Sequence, residues 1–383
     1  MKRDRWSALV VGIAGSVCLM LGVNRLPGLI RPEIGENRRL TEIPAIPRSM
    51  SALRSYPKRM DAYVADNFPA RPHFIAALNY LRYKAGYSGT ATVFVGKSGW
   101  LFYDDGGHLD QARNAMPLTA TERRAWVSTL AARAEQLRSK NEVYIVLSAP
   151  VKELIFPDKL PRWARVGHGD AEVLEADARK LSQPNLVALR SALVRERLLH
   201  SDIYTPYDTH WTGYGARVAY RALCSKLNEL GFAMEPLPLN NFSLSNSRAC
   251  DLAQMLGISS LIRPYSPRLQ HPIQVKLKTT YLSDKADPTR PRVVDTGLAD
   301  KPTIQLTIDS FGEELLNFLY PQFSRLILSH PKDGFYREDL ISTYRPNIVV
   351  LEVIESGLRF GMSPASEPEP VVRDRIREYF REQ

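Results

Sequence analysis

The sequence predicts an α/β fold, on three observations. Apolar runs of strand length recur at residues 143–147, 303–308, 325–328 and 348–352. Stretches with helical spacing separate them, which is the pattern of strands joined through helices. The 383 residues, 44% of them hydrophobic, suffice for one large core or two closely joined lobes.

The chain opens with Lys2, Arg3 and Arg5, followed by an apolar run over 6–23. That run is near the short limit for a bilayer span, and the leading bases favour an N-terminus kept in the cytoplasm. Residues 23–25, Val-Asn-Arg, offer no small-x-small cleavage site. We therefore read 1–25 as a basic end plus signal-anchor, with a cleaved signal peptide as the alternative. Residues 26–51 form a proline-punctuated linker, and 52–383 the main domain with a helical N-terminal part.

Residues 52–83 carry helical spacing, divided at Phe68-Pro69 because the residue before a proline is pushed out of the helical region. Residues 92–103 alternate and contain Gly96-Lys97-Ser98-Gly99, predicting a hairpin with its turn at 97–99. A helix is expected from Thr121, whose hydroxyl caps it, with Trp126, Leu130 and Leu137 facing the core. Residues 143–147 suit a buried parallel strand, 171–181 a helix, 186–189 a short strand and 191–198 a helix. Residues 204–210 read as a strand end or loop feeding a helix from Thr212 that stops at Gly231. The section 235–302 is irregular, with a short helix at 252–255 and a basic strand at 273–280. Beyond the strand at 303–308, a helix is expected at 311–319 and a charged one at 371–380.

Lys plus Arg number 51 against 41 acids, a net charge of +10. Such a balance attracts nucleic acid, anionic lipid or an acidic polymer. The bases are dispersed and no nucleic-acid module accompanies them, so no nucleic-acid partner is expected. The seven histidines show no ligand spacing, and neither metal nor cofactor is expected. Cys224 and Cys250 are read either as one disulfide or as two buried thiols.

Two groups carry chemistry. In Asp208-Thr209-His210-Trp211, an extended backbone would place Asp208 and His210 on one side. In Asp309-Ser310-Phe311-Gly312, Ser310 stands at a strand-to-helix junction, where helix-start amides would stabilise an oxyanion. His210 would take the Ser310 proton while Asp208 fixes its tautomer. The plainer alternatives are that Ser310 or Asp309 only caps the helix, or that His210 is a packed core histidine. Trp100, Tyr103 and Trp211 are candidates for stacking on sugar rings, and Arg263, Arg268, Lys276 and Lys278 for touching an acidic polymer.

The chain resembles the alginate O-acetyltransferases of the AlgJ and AlgX type. The likeness rests on Glu36-Asn37-Arg38, Asp66-Asn67-Phe68-Pro69-Ala70-Arg71, the hairpin through Trp100-Leu101-Phe102-Tyr103, Pro150-Val151-Lys152, Asp208-Thr209-His210-Trp211, Asp251-Leu252-Ala253 and Asp309-Ser310-Phe311. It implies an SGNH-hydrolase-like sheet with flanking helices, and a periplasmic enzyme at the inner membrane that acetylates hydroxyls of an exopolysaccharide such as alginate. It implies Ser310, His210 and Asp208 as the catalytic set, and a membrane-bound acetyl-delivery protein and a polysaccharide secretion complex as partners. A chain ending at Gln383 is closer to AlgJ-like members than to AlgX-like ones, which carry a carbohydrate-binding module. One departure stands out: the family's glycine before Asp-Ser is Ile308 here. The rival readings are a polysaccharide deacetylase using the same residues and a non-catalytic assembly protein.

Overall fold

The computed structural model describes residues 39–361 except 69–70, 105–107, 184, 246–249, 263 and 272–276. The expected anchor within 1–25, the first half of the linker, Lys276, Arg263 and the helix at 371–380 lie outside the described residues. Among the described residues, no helix is long and apolar enough to cross a membrane.

The chain divides into two compact units. The smaller comprises residues up to Val95 together with Cys250–Pro264. It contains helices Met50–Asn67 and Arg71–Lys84, as the Phe68-Pro69 break predicts, strand β1 (Val93–Val95) and the helix Asp251–Met255. Ser49 caps the first helix through the Ala52 amide, and Asp66 accepts from the Thr41 amide at 2.9 Å. Asn79 Nδ2 donates to the Leu256 carbonyl at 2.8 Å, which ties the late segment to the early helices.

Among the described residues, the larger unit holds ten strands: β2 (Leu101–Tyr103), β3 (Val143–Ala149), β4 (Leu186–Ala188), β5 (Ser243–Ser245), β6 (Arg268–Gln270), β7 (Lys278–Tyr281), β8 (Arg292–Asp295), β9 (Thr303–Ile308), β10 (Arg325–Ser329) and β11 (Ile348–Ile354). Seven form one sheet in the order β4-β3-β11-β9-β10-β8-β7. Pairing is parallel from β4 through β10, whereas β8 and β7 add antiparallel at one edge. β3, β9 and β11 are buried over almost their whole length, which explains their unbroken apolar runs.

Flanking helices complete the α/β architecture. The helix Ala120–Arg138 lays Trp126, Leu130 and Leu137 against Val146, Val349 and Leu174 of the helix Asp170–Lys180. Its cap is Thr119, in a reciprocal box with Glu122, so the expected Thr121 cap is displaced by two residues. Thr212 caps the helix Gly213–Glu229 through the Tyr214 amide, as expected. Strand β8 and the helix Glu338–Tyr344 had no clear sequence signal; both are short, and β8 sits in the proline-rich section.

Connections from β3 to β4 and from β9 to β10 run to opposite sides of the sheet, with β11 returning between β3 and β9. The carboxyl ends of β9 and β11 therefore flank a switch point, the place where open parallel sheets bind ligands.

Candidate active site

Ser310 follows β9 by two residues and is exposed at that carboxyl edge. Its Oγ lies 2.8 Å from His210 Nε2, and His210 Nδ1 lies 2.8 Å from Asp208 Oδ1. The three side chains thus form one hydrogen-bonded chain from a buried carboxylate to a solvent-facing hydroxyl. With Nδ1 protonated toward Asp208, Nε2 carries the lone pair that can accept the serine proton.

The segment holding Asp208 and His210 is not extended. It is a tight bend in which Asp208 Oδ1 accepts both the His210 amide, at 2.9 Å, and the imidazole. The shared facing of the two side chains comes from that bend. An isolated bridge between Tyr204 and Trp211 closes the loop around it. Beneath it, the buried Lys152 ammonium donates to the Asp208 carbonyl at 2.9 Å and to the Leu101 carbonyl at 2.8 Å. The same cation lies 5.1 Å from the Trp100 ring centroid and 5.3 Å from that of Phe102.

The helix Gly312–Leu319 receives no side-chain cap from Ser310, so the cap reading of that serine fails. Asp309 secures the turn instead. Its Oδ1 accepts the Phe311 amide at 2.8 Å and its Oδ2 the Ile354 amide at 2.6 Å. The Gly312 amide donates to the Asp309 carbonyl at 3.2 Å. The Phe311 and Gly312 amides are thereby engaged within the turn.

Sequence reasoning missed the role of Glu352, which is fully buried on β11 opposite Ile308. Burial, then the neighbouring Asp309 carboxyl, push Glu352 well above the usual carboxylate range. Burial also raises Asp309, against the two amide bonds that favour its charged form. Of the two carboxyls, Glu352 is raised the further. His330, after β10, is lowered by burial and by Lys332; its Nδ1 accepts the Lys332 amide.

A model of the SGNH hydrolase-like domain of the acetyltransferase AlgX matches residues 93–340. The chain belongs to this family. As an AlgX-family acetyltransferase domain it shares its fold with Bacillus cereus PatB1, with a TM-score of 0.53 at 14% identity over 71% of this chain and 99% of that one. PatB1 carrying a sulfonyl adduct gives 0.52 at 13%, over 70% and 94%. The O-acetyltransferase domain of Pseudomonas putida AlgJ is 16% identical over 75% and 99%, with a TM-score of 0.45. Among curated proteins, none matches the chain in sequence.

Ile308, which departs from the family glycine, is accommodated by a second glycine. A Cβ on Gly312 would stand 2.5 Å from Ile308 Cβ and 2.7 Å from Glu352 Oε2. The branched side chain thus occupies space that only glycine at 312 leaves open, and the Ser310–His210 bond is intact beside it.

The expected sugar contacts fare unequally. Trp211 is fully buried, and its indole donates to the Phe311 carbonyl at 2.9 Å, so it braces the serine turn and presents no face to a sugar. Trp100 is largely buried, its ring 4.4 Å from that of Phe156. Tyr103 is half-buried against His108. Arg268 is paired with buried Glu314 at 2.8 Å and is not a free cation for a polymer. Lys278 is exposed on β7. Cys224 and Cys250 are both buried and neither is in a disulfide, which answers the disulfide alternative, and burial pushes Cys224 up to about 11.

Proposed function

We propose that this acetyltransferase domain uses Ser310, His210 and Asp208 to move an acetyl group from an ester donor to a hydroxyl of an exported polysaccharide. The observation that carries the reading is the 2.8 Å contact between Ser310 Oγ and His210 Nε2, with Asp208 at 2.8 Å from the opposite ring nitrogen. In the first half-reaction Ser310 Oγ bonds to the acetyl carbonyl carbon and its proton passes to Nε2. The donor C–O bond breaks, and the departing oxygen takes that proton. In the second half, a sugar hydroxyl gives its proton to Nε2 and bonds to the carbonyl carbon. The Ser310–acetyl bond then breaks, and Ser310 recovers the proton.

Asp208 stays ionised throughout and holds the ring in one tautomer. Lys152 fixes the backbone of Asp208 through its carbonyl. Alginate is the first polymer to test, because the matched family model is that of AlgX. The basic, apolar N-terminus supports export with retention at the outer face of the inner membrane. There the donor would come from a membrane-bound acetyl-delivery protein within a secretion complex.

The test supplies the purified protein with an acetyl ester and polymer acceptors, and measures acetylated polymer and free acetate. Ser310→Ala and His210→Ala should each abolish polymer acetylation. Equal acetylation in all three proteins would reject the assignment, and acetate release without polymer acetylation would replace transfer by hydrolysis.

A further inference from the structure

The helix Arg71–Lys84 of the smaller unit turns one face inward and leaves a second, apolar face in solvent. Ala76, Asn79 and Tyr83 are buried, and the Asn79 side chain donates to the Leu256 carbonyl at 2.8 Å. Those contacts fix the rotation of the helix about its axis. At about 100° per residue, Phe74, Leu78 and Leu81 fall within about 60° of arc on the opposite side. They are 66%, 48% and 65% exposed, with exposed Ala77 beside them. We propose that this face lies on an anionic phospholipid surface, its apolar side chains set among the headgroups, a reading that rests on retention of the chain at the membrane.

The first argument is the row itself. Burying a Phe or Leu side chain favours the apolar surroundings by about tenfold or more. Single exposed hydrophobics are ordinary, whereas large ones at i, i+4 and i+7 on one helix face mark an interaction surface.

The second is charge, which selects the partner. The helix contains no Asp or Glu over its 14 residues. Arg82 and Lys84, both exposed, stand about 80° to either side of Phe74. An apolar strip bordered by bases suits a helix lying in the headgroup region, where the strip meets acyl chains and the long basic side chains reach phosphate. A second copy of the same face would bring bases against bases.

The third is the place of the helix in the chain. The apolar run over 6–23, led by Lys2, Arg3 and Arg5, holds the chain at the membrane in the function proposed above. Residues 24–49 offer a contour of up to about 85 Å. The helix Met50–Asn67 that follows them is only about 27 Å long. The tether is therefore long enough for Arg71–Lys84 to return to the surface from which the chain emerges.

The test uses the full-length protein reconstituted into phosphatidylethanolamine–phosphatidylglycerol vesicles, with a fluorophore on Leu78→Cys. The unsubstituted protein, in which Cys224 and Cys250 are buried, supplies the labelling background. Quenching by phospholipids that carry a nitroxide on the acyl chain reads lipid contact, and quenching by iodide reads contact with water. The label at 78 should be quenched by lipid and shielded from iodide, the reverse of a label on exposed Lys285→Cys. Replacing phosphatidylglycerol by phosphatidylcholine should weaken the lipid contact about fivefold, the effect of one base near an anionic surface. Phe74→Ser with Leu81→Ser, both at exposed positions, should weaken it about tenfold or more.

Iodide access at 78 equal to that at 285 would overturn the proposal. Shielding from iodide without lipid quenching would overturn it too, and would put a second copy or another segment of this chain on the face. Retention is read separately, as resistance of the vesicle-bound protein to alkaline carbonate. A carbonate-resistant protein without lipid quenching at 78 loses the proposal and keeps retention. Lipid quenching at 78 in a protein that carbonate strips from the vesicles keeps the proposal and removes the anchor.

Discussion

Replacing Gly312 with alanine probes the way this chain accepts Ile308 at a position where its family has glycine. The added Cβ would stand 2.5 Å from Ile308 Cβ, 2.8 Å from Ile308 Cγ2 and 2.7 Å from Glu352 Oε2. Carbon contacts relax only near 3.5–4 Å, so the neighbours must withdraw by about 1 Å. They sit on β9 and β11, paired at Ile308 and Glu352 within a buried parallel sheet, and have little room to move. Overpacking of this degree costs about 1–3 kcal/mol. The companion change, Ile308→Gly, empties a buried site and costs about 2–5 kcal/mol alone. Together they should cost less than their sum by at least ~1 kcal/mol, because the clash with the isoleucine is gone. Guanidinium unfolding of the parent, both single variants and the double variant measures that coupling directly. Costs that add within ~0.5 kcal/mol would refute the idea that the missing side chain at 312 makes room for Ile308.

Three further outcomes are expected. Burial raises Glu153 to about 7 from its ordinary 4.5; the folded chain therefore holds a proton that the unfolded chain releases, and stability falls as pH rises from 4.5 to 7, by about 3 kcal/mol. Glu153→Gln should remove that share of the slope in urea unfolding at pH 5 and pH 8, and an unchanged slope would contradict the assignment. Lys152→Met strands the Leu101 and Asp208 carbonyls in the core; it should lower stability by about 2–4 kcal/mol in thermal unfolding, and kcat with it, whereas a neutral effect would show that the clamp is dispensable. Asp208→Asn should leave the fold intact by circular dichroism yet reduce kcat by about 10³–10⁴-fold, through loss of the correct imidazole tautomer.

Much of the sheet was legible because β3, β9 and β11 are buried on both faces and so appear as uninterrupted apolar runs. The Thr212 cap and the break at Phe68 were equally readable, whereas the cap expected at Thr121 is Thr119. Strand β8 was not, since Arg292–Asp295 is four residues long and lies among prolines and serines. The Asp208–His210 pairing was inferred from strand alternation, but a bend produces it, so the right neighbours came from a different backbone. Trp211 illustrates the commonest ambiguity: an aromatic next to a reactive residue suits a sugar platform or a buried brace, and only its zero exposure decides. Lys152 and Glu352 left no local signal of their roles. A lysine bonded to two carbonyls and a carboxyl pushed upward by burial beneath a turn depend on partners many residues away.

The most direct measurement is of the covalent intermediate. The purified protein is mixed with an activated acetyl ester without acceptor, quenched in acid, digested, and its peptides weighed by mass spectrometry. A single acetyl group should map to Ser310, be absent from Ser310→Ala, and disappear when saccharide is added before the quench, with matching acetate on the sugar. Sugar acetylation proceeding with Ser310 unmodified, or with the acetyl group at another residue, would contradict the account.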